Sequence, residues 1–218
     1  MTKLDGAVVL VAGATGGLGS RIAHQLEAAG ATVVAASRSS GFDLRTPAAN
    51  DAAVAAALAA HGRLDGVVIA TGEVAFGPAS DLHPGTADEL FALNTVGPIH
   101  LITAAHAVLA ASAAAGAEPF IVTLSGVVAE SPTAGLAAYS ASKAGLAAFV
   151  VAASREYRRS GIRILDARPG HTGTELSAHP IAGTAPAFGA ALDPDVVAAR
   201  IVRAIVDGEK DLPSAAFA

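Results

Sequence analysis

The run Ala7-Val8-Val9-Leu10-Val11-Ala12-Gly13-Ala14-Thr15-Gly16-Gly17-Leu18-Gly19 decides how this chain folds. Its apolar opening, rich in β-branched residues, reads as a strand covered on both faces. After the glycines, Leu18, Ile22, Leu26 and Ala29 recur at helical spacing until Gly30 stops the helix. Strand, tight turn and helix in succession make an anion site. Glycine lets backbone approach a ligand closely, and the helix N-terminus offers free N–H groups and about half a positive charge. A pyrophosphate fits such a turn, with Gly13, Thr15, Gly16, Gly17, Leu18 and Gly19 as candidate contacts. A glycine-rich turn without a ligand is the plainer alternative, and the flanking strand and helix weigh against it.

Working outward, the pattern repeats. Further strands are expected at 32–37, 66–71, 119–124 and 162–167, alternating with helical stretches. The spacing predicts helices over 17–29, from Thr46-Pro47 to Gly62, from a capping box at Thr86-Ala87-Asp88-Glu89 towards Gly116, over 139–160, and between Asp193-Pro194 and Gly208. Too few residues separate Arg38 from Asp43 for a helix there, leaving room only for a short strand at 42–44. With no repeat or linker, residues 1–218 read as a single α/β domain: a Rossmann-like, doubly wound parallel sheet.

Composition narrows the function. Hydrophobic residues at 52% against 15% charged exclude a disordered chain. A net charge of −5, no basic stripe and 4% aromatics argue against a nucleic-acid partner. The absence of cysteine removes disulfides and thiolate metal sites. The richest apolar stretch, 99–111, is interrupted by His100, Thr103 and His106, short of the ~18 residues that a membrane span needs. The expectation is a cytoplasmic protein with no membrane partner. His100, His106, His171 and His179 lack ligand spacing and are expected to pack rather than bind metal.

At the end of the second strand an acid would read an unmodified ribose, but this chain has Ser37-Arg38. A guanidinium can pair with a 2′-phosphate, and the serine can add a hydrogen bond. That favours NADP(H) as cofactor, with NAD(H) still possible. A solvated surface arginine is the alternative. Tyr139-Ser140-Ala141-Ser142-Lys143 sets a phenol and an ammonium four residues apart, on one helix face. A nearby cation lowers a phenol's pKa from ~10 towards a useful acid–base range.

Taken jointly, Gly13-x3-Gly17-x-Gly19, Asn94 within Leu93-Asn94-Thr95-Val96-Gly97, Ser125, Tyr139-x3-Lys143 and Pro169-Gly170-His171-Thr172-Gly173-Thr174 resemble the short-chain dehydrogenases/reductases over nearly the whole chain. The resemblance implies an oxidoreductase that moves hydride between nicotinamide and a small carbonyl/alcohol substrate. It implies Tyr139 as proton donor or acceptor, Lys143 on the nicotinamide ribose, Asn94 in a proton relay and Ser125 on the substrate oxygen. It also implies Asp43 and Leu44 flanking adenine, Ala70, Thr71 and Gly72 lining the cofactor bed, and Pro169, Gly170, Thr172 and Thr174 against nicotinamide. A homodimer or homotetramer follows from the same likeness.

Three departures bear on this. Ala12 replaces the usual threonine, and Ile69-Ala70-Thr71-Gly72 replaces Asn-Asn-Ala-Gly. The family's serine lies thirteen residues before the tyrosine, where this chain has Gly126. A regular strand would aim Ser125 away from the site, and a bulge could turn it back. A catalytically weak or inactive NADP-binding regulator is therefore the alternative function. The stretch 176–192 is expected to form a mobile cover, with Leu176, Ile181 and Phe188 either facing an apolar substrate or anchoring the loop.

Overall fold

The apolar runs form the strands of one parallel sheet in a computed structural model that describes residues 1–217. They are β1 (Val8–Ala12), β2 (Thr32–Ala36), β3 (Gly66–Ile69), β4 (Phe120–Leu124) and β5 (Arg163–Ala167). A two-residue strand, β6 (Asp211–Leu212), pairs with Asp166 and Ala167 at one edge. The order is β2-β1-β3-β4-β5-β6, which reverses direction between β1 and β3. In doubly wound sheets the ligand crevice opens at that reversal, beyond the carboxyl ends of the strands.

Alternation along each strand divides the core. Val8, Leu10 and Ala12 face α2 (Pro47–His61), α4 (Gly97–Ala114) and α5 (Ala137–Tyr157), while Val9 and Val11 face α1 (Gly19–Ala28) and α6 (Pro194–Asp207). Gly66 leaves space for the Phe120 ring: a Cβ there would lie 2.4 Å from Cζ. This is the usual reason for glycine inside a strand.

The helices match their start and stop signals with one exception. Gly30, Gly62 and Gly208 adopt positive φ at the helix ends, and Asp193 caps α6 through its side chain. The exception is α3 (Pro84–Phe91), which begins before the expected capping box. His83 Nδ1 accepts from the Gly85 amide and proline fills the first turn, so Thr86 lies inside the helix. A π-turn over Ala92–Val96 joins α3 to α4. The combined helix is long and apolar enough to cross a bilayer by length and composition. Here Leu101, Ile102, Ala105 and Leu109 are instead buried in the core.

No strand forms at 42–44. Phe42 and Leu44 turn inward, and β2 remains the sheet edge. The segment 176–192 is also held more firmly than expected of a mobile cover. Ile181 N–H donates to Val74 O, Phe76 N–H donates to Ala182 O, and Phe188 stacks on His171 at 4.2 Å. Gly183 permits this docking, since a Cβ there would fall 1.9 Å from Phe76 O.

Candidate active site

The glycine turn is built from backbone. Gly13 takes φ 84°, and a Cβ on Gly19 would lie 2.1 Å from Gly13 O. Gly17 faces Thr174, whose Cβ would be 2.7 Å from an added methyl. Among the described residues the amides of Thr15, Gly17 and Leu18 find no backbone partner. Unpaired N–H groups at a helix start suit a pyrophosphate.

The end of β3 supplies the floor. A Cβ on Gly72 would sit 3.3 Å from Lys143 Nζ and 3.4 Å from Asn94 Oδ1, so a side chain there would crowd both groups. Thr71 Oγ1 is buried without a partner. An orphaned hydroxyl at the end of a central strand is an available contact for a bound ligand. Ala70, Thr71 and Gly72 follow β3 directly, at the carboxyl end of the sheet.

Tyr139 and Lys143 come together on α5 as the spacing requires. Lys143 Nζ lies 6.0 Å from the Tyr139 ring centroid and donates to Leu124 O at 2.8 Å. Their electrostatics differ from the expected pairing. Burial pushes the Tyr139 phenol up to about 12, so the lysine does not pull it down. Burial also pushes the Lys143 ammonium down to about 8, with the Asp166 carboxylate opposing that fall. Both shifts follow from desolvating a charged form.

Asn94 occupies the π-turn between α3 and α4, which takes its side chain out of helical register. Fully buried, it accepts from the Glu73 amide at 3.0 Å and donates to the Glu73 carbonyl at 2.9 Å. It also donates to Ser142 Oγ, which in turn donates to Tyr139 O. Asn94 thus ties the β3 end to the helix that carries the tyrosine.

Ser125 does not join them. It continues the alternation of Ile121 and Thr123, and its hydroxyl donates to Asp166 Oδ2 with no exposed surface remaining. Thr123 donates to the same carboxylate at 2.7 Å. Arg168 closes the network, reaching Asp166, Glu130 and Asp211. The assignment of Ser125 to a substrate oxygen is therefore corrected: a buried carboxylate claims the hydroxyl. The chain turns at the next residue, Gly126, with φ 73°.

Two adenine-side assignments also change. Leu44 packs into the core, 2.9 Å from where a Gly97 Cβ would stand, and does not face the crevice. Ser37 is almost inaccessible, with its hydroxyl on Ser39 Oγ at 2.7 Å. Arg38 remains exposed, whereas Asp43 is engaged by Arg45, whose guanidinium holds the carboxyl below its ordinary value. On the far side Pro169 is buried, Thr172 donates to Gly170 O, and Thr174 overlies the glycine turn.

Glu73 is the residue that sequence patterns do not pick out. Its signal is faint, a single charge inside the apolar stretch 67–76. His106 packs against Tyr157 and His171 on Phe188, whereas His179 is exposed beside Glu175. Among the described residues no cluster of metal-ligating side chains occurs.

The model of the short chain dehydrogenase family matches residues 40–182, a span that holds Asn94, Tyr139 and Lys143. A dehydrogenase/reductase SDR family protein 7-like of Anopheles gambiae is 28% identical, covering 99% of this chain and 77% of its own. An uncharacterized oxidoreductase of Staphylococcus epidermidis is 26% identical over 81% of this chain and 83% of its own. The 3-ketoacyl-(acyl-carrier-protein) reductase of Brucella melitensis, solved with NADH, superposes with a TM-score of 0.87 at 23% identity, over 97% of each chain. A short-chain dehydrogenase of Streptomyces avermitilis gives 0.81 at 26% identity, over 96% of this chain and 88% of its own. With family model, relatives and fold in agreement, this chain belongs to the short-chain dehydrogenase/reductase family of oxidoreductases.

Proposed function

We propose that the protein reduces a small carbonyl compound, or oxidises the corresponding alcohol, with NADP(H) as the preferred cofactor and Tyr139 as the proton-transferring group. The observation that carries this reading is Lys143 beneath the Tyr139 ring and beside the Gly72 cradle. When bound, nicotinamide supplies or takes the hydride. The amides of Thr15, Gly17 and Leu18 would hold its pyrophosphate, and Arg38 is the group that could meet a 2′-phosphate. The NADH complex of the Brucella reductase supports a nicotinamide cofactor in this fold.

In the reducing direction the chain's own groups supply the proton. A phenol pushed up to about 12 stays protonated at neutral pH and can give its proton to a substrate oxygen as negative charge develops there. Lys143 places positive charge under that phenol, and Asn94 donates to the Ser142 hydroxyl that holds the Tyr139 carbonyl. Phe76, His171 and Phe188 form an aromatic stack beside this region, which suits an apolar substrate.

Tyr139→Phe tests the proposal: NADPH oxidation against a carbonyl panel should fall at least a hundredfold while NADPH affinity changes less than threefold. Retained turnover would sink the mechanism. A second reading, an NADP-binding regulator without turnover, draws on the withdrawal of Ser125 and the bare Gly126. It predicts cofactor binding by the native protein with no oxidation on any carbonyl. We further propose a cytoplasmic homodimer or homotetramer, in keeping with apolar Phe91 and Val151 exposed on α3 and α5.

A further inference from the structure

One ionisable group in the crevice has no part in proton transfer. Glu73 follows Gly72 directly and is gripped by Asn94 at both its amide and its carbonyl, so its position is set by the fold. Its side chain is only 15% exposed and leads away from Lys143 towards the end of β2, where Oε1 lies 3.8 Å from Arg38 Nη1. Oε2 is buried and accepts no hydrogen bond. The charged groups around it are Arg38, Asp43 and Arg45 from the segment after β2, and Glu89 from α3. Burial raises this carboxyl, the two arginines oppose the rise, and the two acids add to it.

A buried carboxylate oxygen without a partner asks for a donor. A ribose 2′-hydroxyl is such a donor, whereas a 2′-phosphate is an anion and offers none at neutral pH. Arg38 has the opposite preference, since its guanidinium pairs best with phosphate. The two side chains face each other and make opposite demands on one ligand position. In this arrangement Glu73 also engages the cation that a 2′-phosphate would need.

We propose that Glu73 is a specificity-determining residue that restrains recognition of a 2′-phosphate by Arg38 and so narrows the preference for NADP(H) over NAD(H). This rests on the reading that the glycine turn holds a nicotinamide dinucleotide. Removing the negative charge frees Arg38 and ends the repulsion, so selectivity moves towards NADPH. The residue acts on the difference between two ligands and not on the fold.

Fluorescence titration of NADPH and NADH into native protein, Glu73→Gln, Arg38→Ala and the double variant tests this. Thermal melting confirms that each variant is folded. Glu73→Gln is expected to raise the ratio of NADPH to NADH affinity about tenfold, and most of that gain should be lost in the Arg38→Ala background. A ratio unchanged by Glu73→Gln would overturn the proposal, as would both affinities moving together, which marks a structural role. Survival of the full gain without Arg38 would likewise overturn it. Should Glu73→Gln melt early, Glu73→Ala is read by the same ratio. Native protein that binds neither dinucleotide would remove the cofactor reading itself, and the inference with it.

Discussion

The ends of β1 and β4 lie at the same edge of the sheet, and they are built in opposite ways. After β1 the chain contributes backbone alone: glycines packed so tightly that Gly13 and Gly19 leave no room for a methyl, with the Thr15, Gly17 and Leu18 amides left without a backbone acceptor among the described residues. After β4 it contributes side chains, and the fold consumes them. Ser125 and Thr123 both turn to Asp166, which Arg168 ties to Glu130 and Asp211. A backbone site is fixed once its glycines are fixed. A hydroxyl serves whichever acceptor the tertiary structure brings near it, and here that acceptor comes from β5.

The sharpest way to break the contrast is at the glycine turn. Gly19→Ala sets a methyl 2.1 Å from Gly13 O, so the turn must open. Dinucleotide affinity should fall more than a hundredfold by fluorescence titration, with a lower melting temperature. Gly16→Ala, where the same contact is 3.3 Å, should cost less than tenfold. Equal effects at the two positions would mean that close packing is not what makes the site.

Lys143 bridges from the Gly72 cradle after β3 to Leu124 O at the β4 end. Burial sets its ammonium at about 8 against 10.5 in the unfolded chain, a gap of roughly 3 kcal/mol against folding. Across that interval the folded protein binds fewer protons than the unfolded one, so stability rises with pH. Between about pH 8 and 10 the rise belongs to this lysine; above 10 the raised Tyr139 phenol acts in the opposite sense. Lys143→Met should remove the rise, stabilise the fold near pH 7 and lower turnover at least a hundredfold. Urea melts at pH 7 and pH 9.5 check the first two, and a steady-state assay checks the third. An unchanged slope would mean that the ammonium is solvated.

What was legible in the sequence follows the same division. The five long strands, the glycine turn and the Tyr139–Lys143 pair are local patterns, carried by apolar runs, backbone freedom or helical spacing, and they stand where expected. The features that escaped depend on distant partners. β6 is two residues long and exists because β5 offers it an edge. Leu44 could face the crevice or the core, and Gly97 on α4 draws it into the core. Glu73 gained meaning only when Asn94 and Arg38 closed on it from other elements. Ser125 had the right residue type, but no local rule revealed that Asp166 would reach it first.

Ser125 offers the smallest effect and the cleanest discrimination between the two constructions. If its hydroxyl is a fastening for Asp166, Ser125→Ala leaves the carboxylate with Thr123 and Arg168 still in place. The lost buried hydrogen bond to a charged acceptor should lower stability by about 1–3 kcal/mol. For a protein of this size that is a fall of several degrees in melting temperature. Turnover should change less than threefold, because no reacting group is touched. A hydroxyl that steadied the developing charge on a substrate oxygen would behave in reverse, costing about a hundredfold or more in kcat with little change in melting. Measuring both quantities on one variant therefore decides whether the β4 end belongs to the scaffold or to the chemistry.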